Sequence, residues 1–127
     1  MSCQTPVTRN QKTIIFDFEN LSVFQKAVKF INEIFQIVKD LPKEYRYAIG
    51  DNLLRAALSI ANNLAEGNDK PSLKEKARYF RTSSDSAREC VAVLIVLNEQ
   101  KLISENNYWK LKSDLREITS MIRAIIK

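Results

Sequence analysis

Apolar residues recur at three- and four-residue intervals along most of this chain. Phe24, Ala27, Val28, Ile31, Ile34, Phe35, Val38 and Leu41 form one such series, Leu53, Leu54, Ala57, Ile60, Ala61 and Leu64 a second, and Tyr108, Leu111, Leu115, Ile118, Ile122 and Ile125 another. That spacing lines up one side of a helix for burial. The first helix opens on a capping-box pattern, Ser22-x-x-Gln25, and ends near Asp40, because Pro42 disfavours helical geometry at Leu41. Pro42 suits the first turn of a second helix, which reaches Glu66. Inside it Gly50 marks a kink, a close helix contact, or a break with Asp51 capping a second piece. Gly67 then ends it as the left-handed residue that a helix C-terminus prefers. A third helix opens on a second capping box, Ser72-x-x-Glu75, and lasts to about Lys101; Ser104 caps a fourth. Connections this short force antiparallel neighbours, so the expected fold is all-α, an up-down-up-down four-helix bundle over residues 22–127. Ahead of it, residues 1–12 read as a solvated tail. The apolar TIIFDFENL of residues 13–21 reads as an extended arm on the body or on a neighbouring subunit.

Two helices depart from a simple one-sided pattern. On the second, Arg55, Ser59, Asn62 and Glu66 share a narrow polar stripe within an alanine-rich, thin helix that lets neighbouring backbones approach closely. If such groups are buried against the third helix near Ser86 and Glu89, they form a hydrogen-bonded network that fixes register. Asp51 and Arg55 make an i,i+4 pair of favourable orientation. The third helix changes character halfway. Its first half displays Lys74, Arg78, Arg81 and Arg88 on one face, interrupted by Asp85. Its second half is CVAVLIVL: Cys90, Val91, Ala92, Val93, Leu94, Ile95, Val96 and Leu97. Eight consecutive apolar residues cover the whole circumference, whereas a helix in an isolated four-helix bundle keeps one face in water. The outer side of this half is therefore expected to be covered by another copy, by a different partner, or by the N-terminal arm.

Charge sharpens the picture. The first 69 residues balance to zero, so the net charge of +5 falls entirely on the second half of the molecule. Lys110, Lys112, Arg116 and Arg123 add to the four cations of the third helix. A basic face of this kind holds phosphate backbones without reading sequence, although charged residues on a helix are also its ordinary wet side. Tyr79 and Trp109 are the aromatic candidates for base stacking, or equally for packing at an interface. The chain has no histidine, and no HExxH, CxxC, GxSxG or GxxxxGKS pattern occurs. The expectation is therefore no catalysis, no cofactor and no metal. A hydrolase or nuclease reading would need Glu66 and Glu89 to converge on a divalent metal. Cys3 and Cys90 lie in a polar tail and an apolar run and are not expected to pair. With no long uncharged apolar run and no signal-peptide core, a cytoplasmic protein with no membrane association is the default.

The segment Leu54-Arg55-Ala56-Ala57-x-Ser59-Ile60-x-x-Asn63-x-Ala65-Glu66-Gly67, preceded by Leu41-Pro42 and followed by Ser86-x-x-Glu89, resembles the "four helix bundle protein" family. That family is encoded in intervening sequences of bacterial 23S ribosomal RNA genes and is related to the accessory variability determinant of diversity-generating retroelements. The resemblance runs over residues 21–97. Among the residues of those motifs, Arg55, Ser59, Asn63, Glu66, Ser86 and Glu89 are the expected structural polar network, while the resemblance itself implies an antiparallel four-helix protomer. It also implies a protomer of a ring-like homopentamer with a basic surface for RNA or DNA. In the retroelement branch it implies a reverse transcriptase as partner. The leading expectation is a non-enzymatic, homo-oligomeric accessory protein that contacts phosphates through Lys74, Arg78, Arg81, Arg88, Lys110, Lys112, Arg116 and Arg123. The rival is a protein-interaction scaffold with incidental charge, built on CVAVLIVL.

Overall fold

Four apolar stripes close on one another to make this fold. The computed structural model describes residues 13–127, in which α1 is Ser22–Asp40, α2 is a continuous helical run over residues 43–68, α3 is Leu73–Glu99 and α4 is Glu105–Ile125. No strand occurs among the described residues. Each helix packs on its neighbour in the chain, and α1 packs on α4 to close the bundle. Phe30 and Ile34 from α1, Leu53, Ile60 and Leu64 from α2, Phe80 and Leu94 from α3, and Leu111, Leu115 and Ile118 from α4 are all but sealed from water. Burying a side chain of that size stabilises the fold by about 1.5–3 kcal/mol relative to leaving it exposed.

The helix ends are decided by local chemistry, partly as the sequence predicts. Ser72 Oγ accepts from the Glu75 amide and Ser104 Oγ from the Asn107 amide, each at 3.1 Å, so both expected caps form. The expected box at Ser22 does not: Leu21 is the N-cap, and the Gln25 side chain donates instead to the Glu19 carbonyl at 2.8 Å. The third helix ends at Glu99 rather than Lys101. Leu102 N–H returns to the Leu97 carbonyl at 2.9 Å and Lys101 N–H to that of Asn98 at 3.0 Å, with Lys101 in the left-handed region at φ 58°. This is the Schellman arrangement with a lysine where glycine is usual.

The two glycines have different roles. Gly50 closes a π-helical turn, Arg46–Gly50, between Lys43–Tyr45 and Asp51–Asn68, and its own φ and ψ are helical. The helix is therefore widened rather than broken, and Asp51 caps nothing. A Cβ on Gly50 would stand 3.0 Å from Val38 Cγ1, so the close-contact reading holds. Pro42 sits at the N-cap, one position ahead of the first turn. Arg46 reaches back across the junction, donating to the Lys39 and Leu41 carbonyls at 3.3 and 3.2 Å and so satisfying acceptors left over at the end of α1. Gly67 corrects the sequence reading. It lies inside the last turn of α2, is buried, and has no positive φ. Its reason is steric: an added Cβ would fall 2.6 Å from Tyr79 Cβ and 3.1 Å from the Phe80 ring, so α2 and α3 cross where only a hydrogen fits.

The arm is also shorter and more local than an extended strand. Asp17–Asn20 forms a turn of 3₁₀ helix, closed by the Phe16 amide donating to Glu19 Oε2 at 2.8 Å. Asn68 donates to Asp17 at 2.7 Å, and the Phe18 ring meets Phe24 edge-on at 4.9 Å. These contacts fix the arm over the start of α1 and the end of α2. It does not reach the second half of α3, while Ile14, Ile15 and Phe16 remain exposed. The solvated tail expected over residues 1–12 lies outside the described residues.

Candidate nucleic-acid interface

Because α3 and α4 are joined by a five-residue connection, they run antiparallel, and their outer sides leave a groove of about 630 Å³ between them. From α3 the groove takes Ser84, Arg88, Val91, Ala92 and Ile95, and from α4 it takes Trp109, Lys112, Ser113, Leu115, Arg116, Thr119 and Arg123. The α4 residues 109, 112, 116, 119 and 123 follow a three-four rhythm that puts them on one face, beside the buried stripe. Four of the eight cations expected to bind nucleic acid therefore share one site, and no carboxylate lines it. None of Arg88, Arg116 and Arg123 makes a side-chain ion pair with the described residues. Their charge is not neutralised within the described chain.

Antiparallel packing gives the groove two unlike ends. Near the α3–α4 connection lie Ile95, Trp109 and Lys112, and at the far end lie Ser84, Arg88, Thr119 and Arg123. Lys112 Nζ stands 5.1 Å from the Trp109 ring centre and 5.2 Å from that of Tyr108, and it donates to the Tyr108 hydroxyl at 3.1 Å. Cation–π attraction of this kind fixes the lysine head at the groove's mouth. Trp109 Nε1 donates to Glu105 at 3.3 Å, and the indole is 57% exposed.

The other expected phosphate contacts lie elsewhere. Lys110 is on the α1 side of α4, bonded to Glu33 and, at 3.1 Å, to Asp114. Lys26 joins the same seam through Glu117 at 2.7 Å and Asp114 at 3.5 Å. Hydrogen bonds donated to Glu117 by Lys26 and to Glu33 by Lys110 hold both ammonium groups above the usual lysine range. A group whose folded pKa is raised contributes stability that is fully present below its unfolded value and is lost as pH climbs through the folded one. The seam is therefore intact at neutral pH. Arg78 and Arg81 border a shallower depression with Asn63, Tyr79 and Thr82 toward α2. Lys74 is exposed in the first turn of α3.

The polar network forms with fewer members than expected. Ser86 Oγ donates to Ser59 Oγ at 2.7 Å, and Asn63 Nδ2 donates to the Ser59 carbonyl at 2.9 Å and to Ser59 Oγ at 3.1 Å. Ser83 Oγ donates to the Ile60 carbonyl at 2.8 Å. The fully buried Ser83 is a member that sequence reading passed over. Its spacing of three from Ser86 is the signal, since it sets both hydroxyls on the α2 side of α3. Arg55, Asn62, Glu66 and Glu89 are exposed and outside the network, and Asp51 forms no ion pair with Arg55. Among the described residues no three His, Cys, Asp or Glu side chains cluster as metal ligands.

Of the apolar run in α3, Cys90, Leu94 and Leu97 enter the core, Val91 and Val93 are half-buried, and Ala92, Ile95 and Val96 face outward. Ile95 is 40% and Val96 50% exposed. Burial, with the Glu89 charge adding to it, pushes the Cys90 thiol up to about 12, which makes it a packing residue and not a nucleophile.

The family model of the 23S rRNA-intervening sequence protein matches residues 19–124. This chain belongs to that family. Among solved structures, a protein with unknown function from the S23 ribosomal protein family of Bacteroides thetaiotaomicron VPI-5482 superposes with a TM-score of 0.77 at 24% identity. The match covers 83% of this chain and 98% of that one. At that identity the likeness shows the fold. No curated protein matches. In this member of the 23S rRNA-intervening sequence protein family, the groove residues that sequence reading passed over are Ser84, Ser113 and Thr119. Their signal is position alone, since each falls on the same helical face as the cations beside it. No helix of the described residues is long and apolar enough to cross a membrane.

Proposed function

We propose that this protein is a non-enzymatic accessory protein that binds RNA or DNA through the α3–α4 groove. The observation that carries the reading is the convergence of Arg88, Lys112, Arg116 and Arg123 on one groove without a carboxylate. A duplex or single strand carries closely spaced phosphates, and cations without internal partners bind them by releasing counterions. The partner protein implied by the resemblance is a reverse transcriptase within a ribonucleoprotein. The test is fluorescence anisotropy of labelled structured RNA over about 50–200 mM salt, where each phosphate contact adds about 0.7–0.9 to the slope of log affinity against log salt. Replacing Arg88, Arg116 and Arg123 by glutamine should lower the slope by two to three contacts' worth, roughly 2. The matched replacement of Lys74, Arg78 and Arg81 measures the other basic face. An unchanged slope in the first variant would remove the groove from the reading.

A second reading is favoured by Ile95 and Val96, whose exposure no part of the described chain relieves. On that reading another copy of the protein covers the outer face of α3, giving the ring-like assembly. The two readings share Ile95, which lines the groove, and part at Val96, which does not.

A further inference from the structure

The groove is built unevenly, and a uniform polyanion would leave half of it unused. Three of its four cations, Arg88, Arg116 and Arg123, gather toward one end, while the other end sets Ile95, Val91, Ala92 and Trp109 around the single cation Lys112. A duplex presents phosphates on a convex surface and keeps its bases stacked within, so it can meet the cations but cannot fill an apolar recess. An unpaired strand brings both parts, phosphates for the guanidinium groups and a flat base for the indole. Lys112 Nζ stands over one face of the Trp109 ring, 5.1 Å from its centre, so a base that stacks on that face displaces the ammonium, which is then free to meet the adjoining phosphate. Two-fold pairing of the groove with the same groove of a second copy is disfavoured, whereas a copy in a ring would have to bring a different, acidic face to it. The two-fold arrangement sets the same patch against itself, bringing unpaired arginines together with no carboxylate between them.

We infer that the α3–α4 groove selects single-stranded over double-stranded nucleic acid, with one unpaired base stacked on Trp109 and the following phosphates held by Arg116 and Arg123. This rests on the nucleic-acid reading above and narrows its ligand. From residue 109 to residue 123 the groove runs about 21 Å along α4, room for a short run of extended nucleotides.

Trp109 is the sole tryptophan, so the indole reports its own occupancy. The experiment titrates the full chain with an unlabelled oligoadenylate of about eight nucleotides and with a blunt duplex of the same length, following tryptophan emission. Anisotropy of the labelled forms supplies affinities for the protein and for Trp109→Leu and Trp109→Phe. The inference expects quenching by the single strand alone and at least tenfold tighter binding of it. It also expects about a tenfold loss in Trp109→Leu with most affinity kept in Trp109→Phe. The exposed position of Trp109 leaves folding intact in both variants, which circular dichroism verifies. Equal affinity for the duplex with unchanged emission would overturn the single-strand inference while leaving the basic face standing. No binding of either form would remove both. Emission that shifts with protein concentration alone would assign the groove to a second copy and overturn the inference as well.

Discussion

Gly67 shows how one residue type can be required for two different reasons. A left-handed helix end and a close helix crossing both exclude a Cβ, and they differ in which substitution they tolerate. At a left-handed position asparagine is the better replacement. At a crossing where the added Cβ meets Tyr79 at 2.6 Å, alanine is the better one, because every further atom worsens the clash. Gly67→Ala gains up to about 1 kcal/mol in helix propensity against an overpacking cost of about 1–3 kcal/mol. The expected net is a loss of up to about 2 kcal/mol, with Gly67→Asn losing more; denaturant melts of the two variants check the order, and a smaller loss for asparagine would restore the left-handed reading. Lys101 is the complementary case. It holds φ 58° without being glycine, a conformation that costs an ordinary residue about 1–2 kcal/mol. Lys101→Gly should therefore raise stability by about 0.5–1 kcal/mol after the entropy of the freer unfolded chain is counted. A drop in melting temperature would mean that the lysine side chain contributes a contact outweighing its strain.

Among the helices, α3 carries three jobs on three sides. One side, through Phe80, Cys90, Leu94 and Leu97, is core. A second is tied to α2 by the hydroxyls of Ser83 and Ser86, which set the axial register of two helices that cross closely at Gly67. The third forms one wall of the basic groove. The register bonds matter because the α2 side of this crossing is rich in alanine, and small side chains slide where interlocked large ones do not. Ser83 donates to a backbone carbonyl from a fully buried site. Ser83→Ala removes that bond and should cost about 0.5–1.5 kcal/mol, while the same change at exposed Ser113 should be near neutral. Equal small losses at both positions, measured in the same melts, would mean that the α2–α3 register does not depend on the buried hydroxyl.

Across the protein as a unit, two outward features of α3 and α4 lie side by side: the basic groove and the apolar Ile95–Val96 patch. The arm that would have covered the patch is instead pinned by Asp17, Phe18 and Glu19 over the α1–α2 end. Placing a charge at Val96 distinguishes what the patch does. If another copy covers it, Val96→Glu lowers the assembly mass seen by light scattering while helicity is kept, because an unpaired carboxylate in an apolar interface is costly to desolvate. A mass identical to that of the unaltered protein would place assembly elsewhere and leave the patch as open surface.

Four helices, their order and their antiparallel closure were all legible in the chain, because apolar periodicity and short connections leave no other way to bury these stripes. Ser72 and Ser104 were legible as caps, and Arg88, Lys112, Arg116 and Arg123 stood among the basic candidates, since both signals depend only on near neighbours in the chain. Whatever is set by two helices meeting had to wait for the packed bundle. Gly67 is a crossing contact because Tyr79 stands opposite it. Lys110 is an ion-pair residue because α1 brings Glu33 to it. Arg88 joins Arg116 and Arg123 because antiparallel packing of α3 on α4 sets them across one groove. Such pairings join residues far apart in the chain, where periodicity and capping chemistry, both local signals, carry no record of them.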